Sequence, residues 1–132
     1  MRIVVDSSVF LAVALDEPDR DWLVEVTKGA EVCAPELLPY EIGNALSAMV
    51  KRARLTVAEA GDAFRSYSRM TVRLVPCDVA AALELCSGRG LYAYDAYFLM
   101  TALRLRSPLL TLDRGMRAVA AELGINVLEQ DQ

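Results

Sequence analysis

Four acidic residues occupy positions at which a carboxylate could take part in catalysis. Asp6 directly follows the apolar segment IVV, and Asp113 directly follows PLLTL. Glu41 lies in LLPYEIGNALSAMVKRAR, and Asp95 lies in GLYAYDAYFLMTALRL with no lysine or arginine three or four positions away. Helical projections place Asp95 on an apolar face and Glu41 at the margin of one. A buried carboxylate without a cation is costly or retains its proton, so something beyond these segments is expected to compensate for the charges.

A hard divalent metal ion would supply that compensation. Carboxylates that converge on one cleft repel one another, and a divalent cation relieves the repulsion. Oxygen ligands in a chain without histidine favour Mg²⁺ (or Mn²⁺), and the three cysteines, Cys33, Cys77 and Cys86, lack the spacing of a zinc site. The absence of histidine also excludes catalytic triads that use it. A metal-bound water suits the cleavage of phosphodiester bonds.

Each acid also has a purely structural interpretation. Asp6, Asp95 and Asp113 could cap the helices that follow them, and Glu41 could be a solvated residue at a helix margin. Considered together, the four acids favour a shared site. Two of them end strands at one edge of the predicted sheet, and none has an evident cation nearby.

Short apolar segments alternate with amphipathic segments along the chain, which predicts alternating strands and helices. This order indicates an α/β fold, a three-layer α/β/α sandwich with a mainly parallel central sheet, in one domain over residues 1–132. The predicted strands are 2–5, 31–36, 71–76, 107–113 and 125–129. One helix is predicted directly after DSS. The other predicted helices cover 18–29, 37–54, 57–70 (capped by Thr56), 79–90 (capped by Asp78), 90–105 and 114–124.

The composition sets limits on partners and location. Hydrophobic residues make up 55% of the 132 residues, an excess that leads us to expect an oligomer. The net charge of −4 argues against binding nucleic acid mainly through bulk electrostatics. No apolar segment approaches the roughly 20 residues that span a bilayer, and no signal-peptide cleavage site is found. A soluble, cytoplasmic protein without membrane contact is therefore expected.

The four acids and their surroundings resemble those of the PIN-domain ribonucleases, most closely the VapC-type toxins of toxin–antitoxin pairs. The segments that carry the resemblance are VVDSSVF, ELLPYEIGNAL, YAYDAYFLMTAL and LLTLDRGM, in this order over nearly the whole chain. The resemblance implies a Mg²⁺- or Mn²⁺-dependent endoribonuclease that cleaves RNA with a metal-activated water. It also implies a homodimer and a cognate antitoxin protein that inhibits the enzyme.

The same resemblance implies roles for individual side chains. The four acids would bind the metal and catalyse cleavage, with Ser8 and Thr111 as supporting hydroxyls. Arg114, beside the fourth acid, and Asn44, one helical turn after the second, are candidates for contact with the substrate. Solvated surface positions are the alternative for both residues.

Two other functions are compatible with these residues. A phosphatase of the haloacid dehalogenase type also has an aspartate after its first strand, but it needs a second aspartate two residues later, where this chain has Ser8. A non-catalytic protein-binding α/β module would use the acids as helix caps and the apolar excess for a partner. Phosphate release from a monoester would identify the phosphatase, and a thermal stability that does not respond to Mg²⁺ would indicate the binding module.

Overall fold

A four-stranded parallel sheet lies at the centre of the protein, in a computed structural model that describes residues 1–130. The strands are β1 (Arg2–Val5), β2 (Glu31–Pro35), β3 (Arg73–Val75) and β4 (Leu109–Leu110), in the order β3-β2-β1-β4. Three of the four residues of β1 are fully buried, as expected for a central strand of a parallel sheet covered on both faces. Residues 131 and 132, which the predicted domain includes, lie outside the described residues.

The helices that connect these strands form two packed groups. They are α1 (Ser7–Ala14), α2 (Arg20–Thr27), α3 (Leu38–Lys51), α4 (Val57–Ser68), α5 (Val79–Cys86), α6 (Ala93–Leu105) and α7 (Arg114–Glu122). In one group α1 contacts α2, α3 and α4, while in the other α5 packs on α6, which itself lies against β1 and β2. The predicted α/β fold with a parallel central sheet is confirmed.

Two of the predicted helix starts are present with their caps. The Thr56 hydroxyl accepts a hydrogen bond from the Glu59 amide, and the Glu59 carboxylate accepts one from the Thr56 amide, which forms a capping box at the start of α4. The Asp78 carboxylate accepts a hydrogen bond from the Ala81 amide at the start of α5. Both side chains satisfy amides that the first helical turn leaves without a partner.

The end of the chain differs from the prediction. The strand predicted over 125–129 is wrong, because the structure has only a single parallel bridge between Val127 and Leu109. The strand predicted over 107–113 shrinks to Leu109–Leu110. The Ser8 hydroxyl accepts a hydrogen bond from the Leu112 amide, and the Thr111 hydroxyl accepts one from the Asp113 amide. Because these amides bond to side chains, the segment leaves the sheet early.

The strand order creates a crevice at one edge of the sheet. From β1 the chain adds β2 and then β3 on one side, whereas β4 pairs with the opposite side of β1. The carboxyl ends of β1 and β4 therefore flank the point at which the strand order reverses, where open α/β sheets bind their ligands.

No helix within residues 1–130 is both long enough and apolar enough to cross a membrane.

Candidate metal-binding active site

Asp6 lies at the carboxyl end of β1, in the crevice between β1 and β4. Its amide donates a hydrogen bond of 3.1 Å to the Leu110 carbonyl, and the residue is only 4% exposed. The Thr111 hydroxyl donates to Asp6 Oδ2 at 2.9 Å, and the Ser8 hydroxyl donates to Oδ1. Asp6 occupies the N-cap position of α1, but its side chain makes no capping hydrogen bond. The two hydroxyls thus fix this carboxylate, which does not cap the helix.

The two hydroxyls on Asp6 are themselves held by the backbone of the β4 end. Ser8 Oγ accepts a hydrogen bond from the Leu112 amide at 3.1 Å, and Thr111 Oγ1 accepts one from the Asp113 amide at 3.0 Å. With their acceptor sites occupied in this way, both hydroxyls point their hydrogens at the carboxylate. We name Asp6, Ser8 and Thr111 the hydroxyl clamp.

Glu41 projects from the first turn of α3 towards the same crevice. Its Oε1 accepts a hydrogen bond of 2.9 Å from the Ser7 hydroxyl, whereas its buried Oε2 has no hydrogen-bond partner within residues 1–130. Burial raises the pKa of Glu41 to about 7, the Ser7 hydrogen bond opposes that rise, and the charges of Asp6 and Asp95 add to it. A buried oxygen without a partner is the atom that a bound cation or water would satisfy.

The third and fourth acids are positioned by α6 and α7. Asp95 is half-buried in the first turn of α6, whose N-cap is Tyr92, so Asp95 is not the cap. Burial raises the pKa of Asp95, and the charge of Asp113 raises it further. Asp113 is exposed, and its Oδ1 accepts a hydrogen bond from the Met116 amide at 3.0 Å. The capping interpretation is therefore correct for Asp113.

The four acids interact electrostatically as a closed ring. Burial is the main cause that raises the pKa of Asp6 to about 6, the hydrogen bonds from Ser8 and Thr111 oppose the rise, and the Asp113 charge contributes to it. The Asp6 charge in turn raises the pKa of Glu41. Asp95 repels Glu41 and is in turn repelled by Asp113. None of the ion pairs formed within residues 1–130 includes any of the four. We name these residues the acid ring.

The acid ring matches a metal ion in its donor chemistry. In the described part of the chain, however, no three acidic or cysteine side chains stand in an arrangement that could hold a metal ion. Mg²⁺ is usually bound by one or two carboxylates and keeps several waters, so it does not need a cage of protein ligands. Three features fit such a partly hydrated ion: hard oxygen donors, a Glu41 Oε2 without a hydrogen-bond partner in residues 1–130, and four acids that form no ion pair with a described residue.

The two substrate-binding candidates lie on the surface beside the acid ring. Arg114 is exposed in the first turn of α7, next to Asp113, and Asn44 is exposed on α3, one turn after Glu41. Neither side chain forms a hydrogen bond or an ion pair with another residue in 1–130. Contact with substrate stays a prediction for both.

Two residues near the site were not anticipated from the sequence. Ser7 donates a hydrogen bond to Glu41, a contact that the sequence does not reveal because the two residues are 34 positions apart. Arg117 donates from Nε to the Thr111 carbonyl at 3.2 Å and lines a cavity of about 490 Å³ together with Trp22 and Thr111. The DSS segment does carry a signal for the bond from Ser7 to Glu41. Ser7 and Ser8 are adjacent in the first turn of a helix, so their hydroxyls point in different directions and cannot both bind Asp6. The second contact has no such signal.

The hydroxyl clamp predicts that Thr111→Val weakens Mg²⁺ binding roughly 10- to 100-fold, the usual effect of losing a group that orients a metal ligand. Thr111→Ser, which keeps the hydroxyl, should restore most of the affinity. The shift of the thermal midpoint in a Mg²⁺ titration measures the effect. Thr101→Val is the matched control, because Thr101 is also buried but donates only to the Tyr97 carbonyl of its own helix. Equal Mg²⁺ titrations of the two valine variants would contradict the prediction.

Comparisons with known proteins place the chain and its fold in a family. A sequence model described as the PIN domain matches residues 3–122. A solved structure of PAE2754 from Pyrobaculum aerophilum has a TM-score of 0.68 and 27% identity, covering 90% of this chain and 79% of that chain. The structure of VapBC2 from Rickettsia felis bound to a DNA fragment from their promoter has a TM-score of 0.67. It covers 97% of this chain and 98% of that chain at 10% identity, which demonstrates a shared fold.

No curated protein matches the chain. The family match nevertheless begins within β1 and ends with α7, so it contains every member of the acid ring and of the hydroxyl clamp. The family resemblance inferred from the four sequence segments is thereby confirmed, and the chain belongs to the PIN domain family.

Proposed function

We propose that this PIN domain is a Mg²⁺- or Mn²⁺-dependent endoribonuclease. The observation that carries the proposal is the acid ring, in which the carboxylates of Asp6, Glu41, Asp95 and Asp113 repel one another beside the strand-order reversal and form no ion pair with any residue in 1–130. Such a concentration of negative charge repels a phosphodiester unless positive charge is supplied. A divalent ion would provide it and would also make RNA phosphate binding possible.

The side chains of the site would have different roles in such a reaction. When bound, the metal ion supplies a water of lowered pKa and neutralises charge on the phosphate. The hydroxyl clamp holds Asp6 in a fixed orientation, so that this ligand needs no reorganisation. Ser7 donates its hydrogen bond to Oε1 of Glu41, so Oε2 is the oxygen that would hold the metal ion or accept a proton from the attacking water. Asp95 and Asp113 complete the negative face.

We further propose that the enzyme is the toxin of a type II toxin–antitoxin pair, a cytoplasmic homodimer inhibited by a cognate antitoxin protein. The VapC-like order and spacing of the four acid segments support this assignment. The fold shared with VapBC2 from Rickettsia felis is compatible with it. The hydrophobic fraction of 55% supports a protein partner or a second copy of the chain.

The purified protein is expected to cleave unstructured RNA internally in Mg²⁺ or Mn²⁺ and to lose this activity completely in a chelator. Gel analysis of an end-labelled RNA detects the products. A phosphomonoester assayed in parallel should release no phosphate, which separates the nuclease from a phosphatase of the haloacid dehalogenase type. Cleavage that persists unchanged in the chelator would exclude the metal-dependent mechanism.

A non-catalytic binding module is the second candidate, and one observation favours it. Asp113 is exposed and caps α7, as the purely structural interpretation requires. That interpretation does not extend to Asp6, which makes no capping bond, or to Asp95, which is not at a cap position. A thermal midpoint that does not move with Mg²⁺ would favour the binding module.

A further inference from the structure

A cavity of about 490 Å³ lies beside the hydroxyl clamp. Its walls come from the start of α2, from the segment that connects β4 to α7, and from residues 128–130. The volume falls within the roughly 300–1,000 Å³ of small-molecule sites in proteins. Of the residues that line the cavity, only Thr111 has a role in the proposed cleavage chemistry. We name it the Trp22 cavity, after the aromatic residue in its wall.

Thr111 is a wall shared by the Trp22 cavity and the acid ring. Its carbonyl accepts a hydrogen bond of 3.2 Å from Nε of Arg117, which also lines the cavity. Its hydroxyl donates to Asp6 Oδ2 at 2.9 Å and accepts a hydrogen bond of 3.0 Å from the Asp113 amide. A ligand in the cavity therefore lies next to a residue that directly contacts two of the four acids.

Opposite charges line the Trp22 cavity without pairing. The Arg117 guanidinium is held through Nε, and its two terminal nitrogens have no hydrogen-bond or ion-pair partner within residues 1–130. Asp19 occupies the N-cap position of α2 but makes no side-chain capping bond. Neither Asp19 nor Glu129, which also lines the cavity, forms an ion pair with a described residue. A ligand with hydrogen-bond acceptors on one edge and donors on another would satisfy both kinds of charge.

Guanine has this arrangement of hydrogen-bonding groups. Its O6 and N7 form the pair of acceptors that an arginine fork binds in a bidentate manner. Its N1–H and N2 amino groups are donors, which a carboxylate accepts. Its ring can stack on an indole, and Trp22 is half-buried in the wall of the cavity. Adenine fits less well, because it has an amino group where guanine has O6 and would bring that donor against the donors of Arg117.

We propose that the Trp22 cavity binds a guanine base of the RNA close to the cleaved phosphate. Trp22 stacks on the ring, Arg117 donates to O6 and N7, and a carboxylate of Asp19 or Glu129 accepts from N1–H and the amino group. The inference rests on the proposed nuclease function and extends it from the cleavage chemistry to base preference. Because Thr111 separates the cavity from the acid ring, the bound base and the reacting phosphate belong to nucleotides that are near each other in one strand.

The fluorescence of the protein tests this binding directly. Trp22 is the only tryptophan of the chain, so intrinsic tryptophan fluorescence reports on this cavity alone. The probes are a hexauridine RNA with one central guanosine and three versions in which adenosine, inosine or 7-deazaguanosine replaces the guanosine. Titrations are made in a chelator, so that binding is measured without the proposed cleavage. The guanosine probe should quench Trp22 and bind about ten-fold or more tightly than the adenosine probe.

The two modified bases identify the contacts. Inosine lacks the N2 amino group, and 7-deazaguanosine lacks N7, so each should lose part of the guanosine affinity. Arg117→Lys, which keeps the charge but loses the fork, should bind guanosine and 7-deazaguanosine probes equally. The double variant Asp19→Ala/Glu129→Ala should bind guanosine and inosine probes equally. A merely structural role of these residues would weaken all four probes alike.

Two further sets of variants complete the test, with binding measured by anisotropy of labelled probes. Trp22→Ala should weaken every probe about ten-fold, and Trp22→Phe, which keeps an aromatic ring, should restore most of the affinity. Arg104→Lys and Glu25→Ala are the matched controls, because both residues are exposed and neither lines the cavity. Both controls should keep the guanosine preference of the wild type.

The outcomes separate this inference from the nuclease function. If the four probes bind equally, if the guanosine probe leaves Trp22 fluorescence unchanged, or if the Arg117 and carboxylate variants keep the guanosine preference, the cavity does not read guanine. The inference is then overturned whether or not the protein cleaves RNA. If the preference depends on these residues but no RNA is cleaved in Mg²⁺ or Mn²⁺, the nuclease function fails and the guanine site stands. Cleavage of a mixed-sequence RNA without regard to guanosine would also overturn the inference and leave the nuclease function intact.

Discussion

Asp95→Asn is expected to reduce metal-dependent RNA cleavage by about 10²–10³-fold or more, because it removes one preorganised charge from the reacting centre. The amide has the shape of the carboxylate, and the N-cap of α6 is Tyr92, so the helix does not depend on the replaced group. Without metal, the thermal midpoint of the variant should also be a few degrees higher than that of the wild type, because the negative charge of Asp95 no longer repels Glu41 and Asp113. Gel-based cleavage rates and thermal midpoints measure the two effects.

Asp62→Asn provides the matched control for this substitution. Asp62 is exposed on α4 and pairs only with Arg65, in a surface ion pair whose loss is worth about 0.3–0.5 kcal/mol. This control should leave both the cleavage rate and its response to Mg²⁺ unchanged. A cleavage rate in Asp95→Asn equal to that of the control would be incompatible with a catalytic acid ring.

The metal-free protein is expected to lose stability as the pH rises from about 4 to about 7, and Mg²⁺ should reverse the loss. Burial raises the pKa of Asp6 from its ordinary 3.8 to about 6 and that of Glu41 from 4.5 to about 7. Between the ordinary and the raised values the folded state binds more protons than the unfolded chain, so the free energy of unfolding falls with pH. The shift of about two pKa units for Asp6 corresponds to a loss on the order of 3 kcal/mol, and the loss for the partly exposed Glu41 is smaller.

Urea unfolding across this pH range, in a chelator and in Mg²⁺, measures the effect. Glu41→Gln provides the comparison that isolates the site, because titrating groups that do not interact with Glu41 are shared with the wild type and cancel in the difference. The difference between the two proteins should grow from about pH 4.5 to about pH 7 in the chelator and shrink in Mg²⁺. A metal-free wild type that gains stability relative to Glu41→Gln over this range would contradict the raised pKa of Glu41.

Much of the fold was predictable because it depends on local patterns. The apolar β-branched run RIVV ends where β1 ends, and the Thr56 and Asp78 caps mark the true starts of α4 and α5. The segment 125–129 has the same local character as a strand. It fails to become one because its neighbour, β4, has only two residues to pair with.

The positions of the four acids were more predictable from the sequence than the contacts around them. Acids that follow parallel strands meet at one sheet edge whatever the rest of the chain does, which is why Asp6 and Asp113 were expected together. The bond from Ser7 to Glu41 and the bond from Arg117 to Thr111 depend on how whole helices pack. The exposure of Tyr40 and Tyr92 also depends on that packing, since aromatic residues in apolar segments are ordinarily expected in the core.

The hydrogen bond from Thr111 to Asp6 has a consequence during synthesis of the chain, because it joins residues 105 positions apart. While the chain is being translated, Asp6, Glu41 and Asp95 leave the ribosome before the segment that contains Thr111 and Asp113. Until that late segment docks beside β1, the first carboxylate lacks one of its two hydroxyl partners. The acid ring and the hydroxyl clamp are therefore complete only after the segment that contains Thr111 and Asp113 has been synthesised and has docked beside β1.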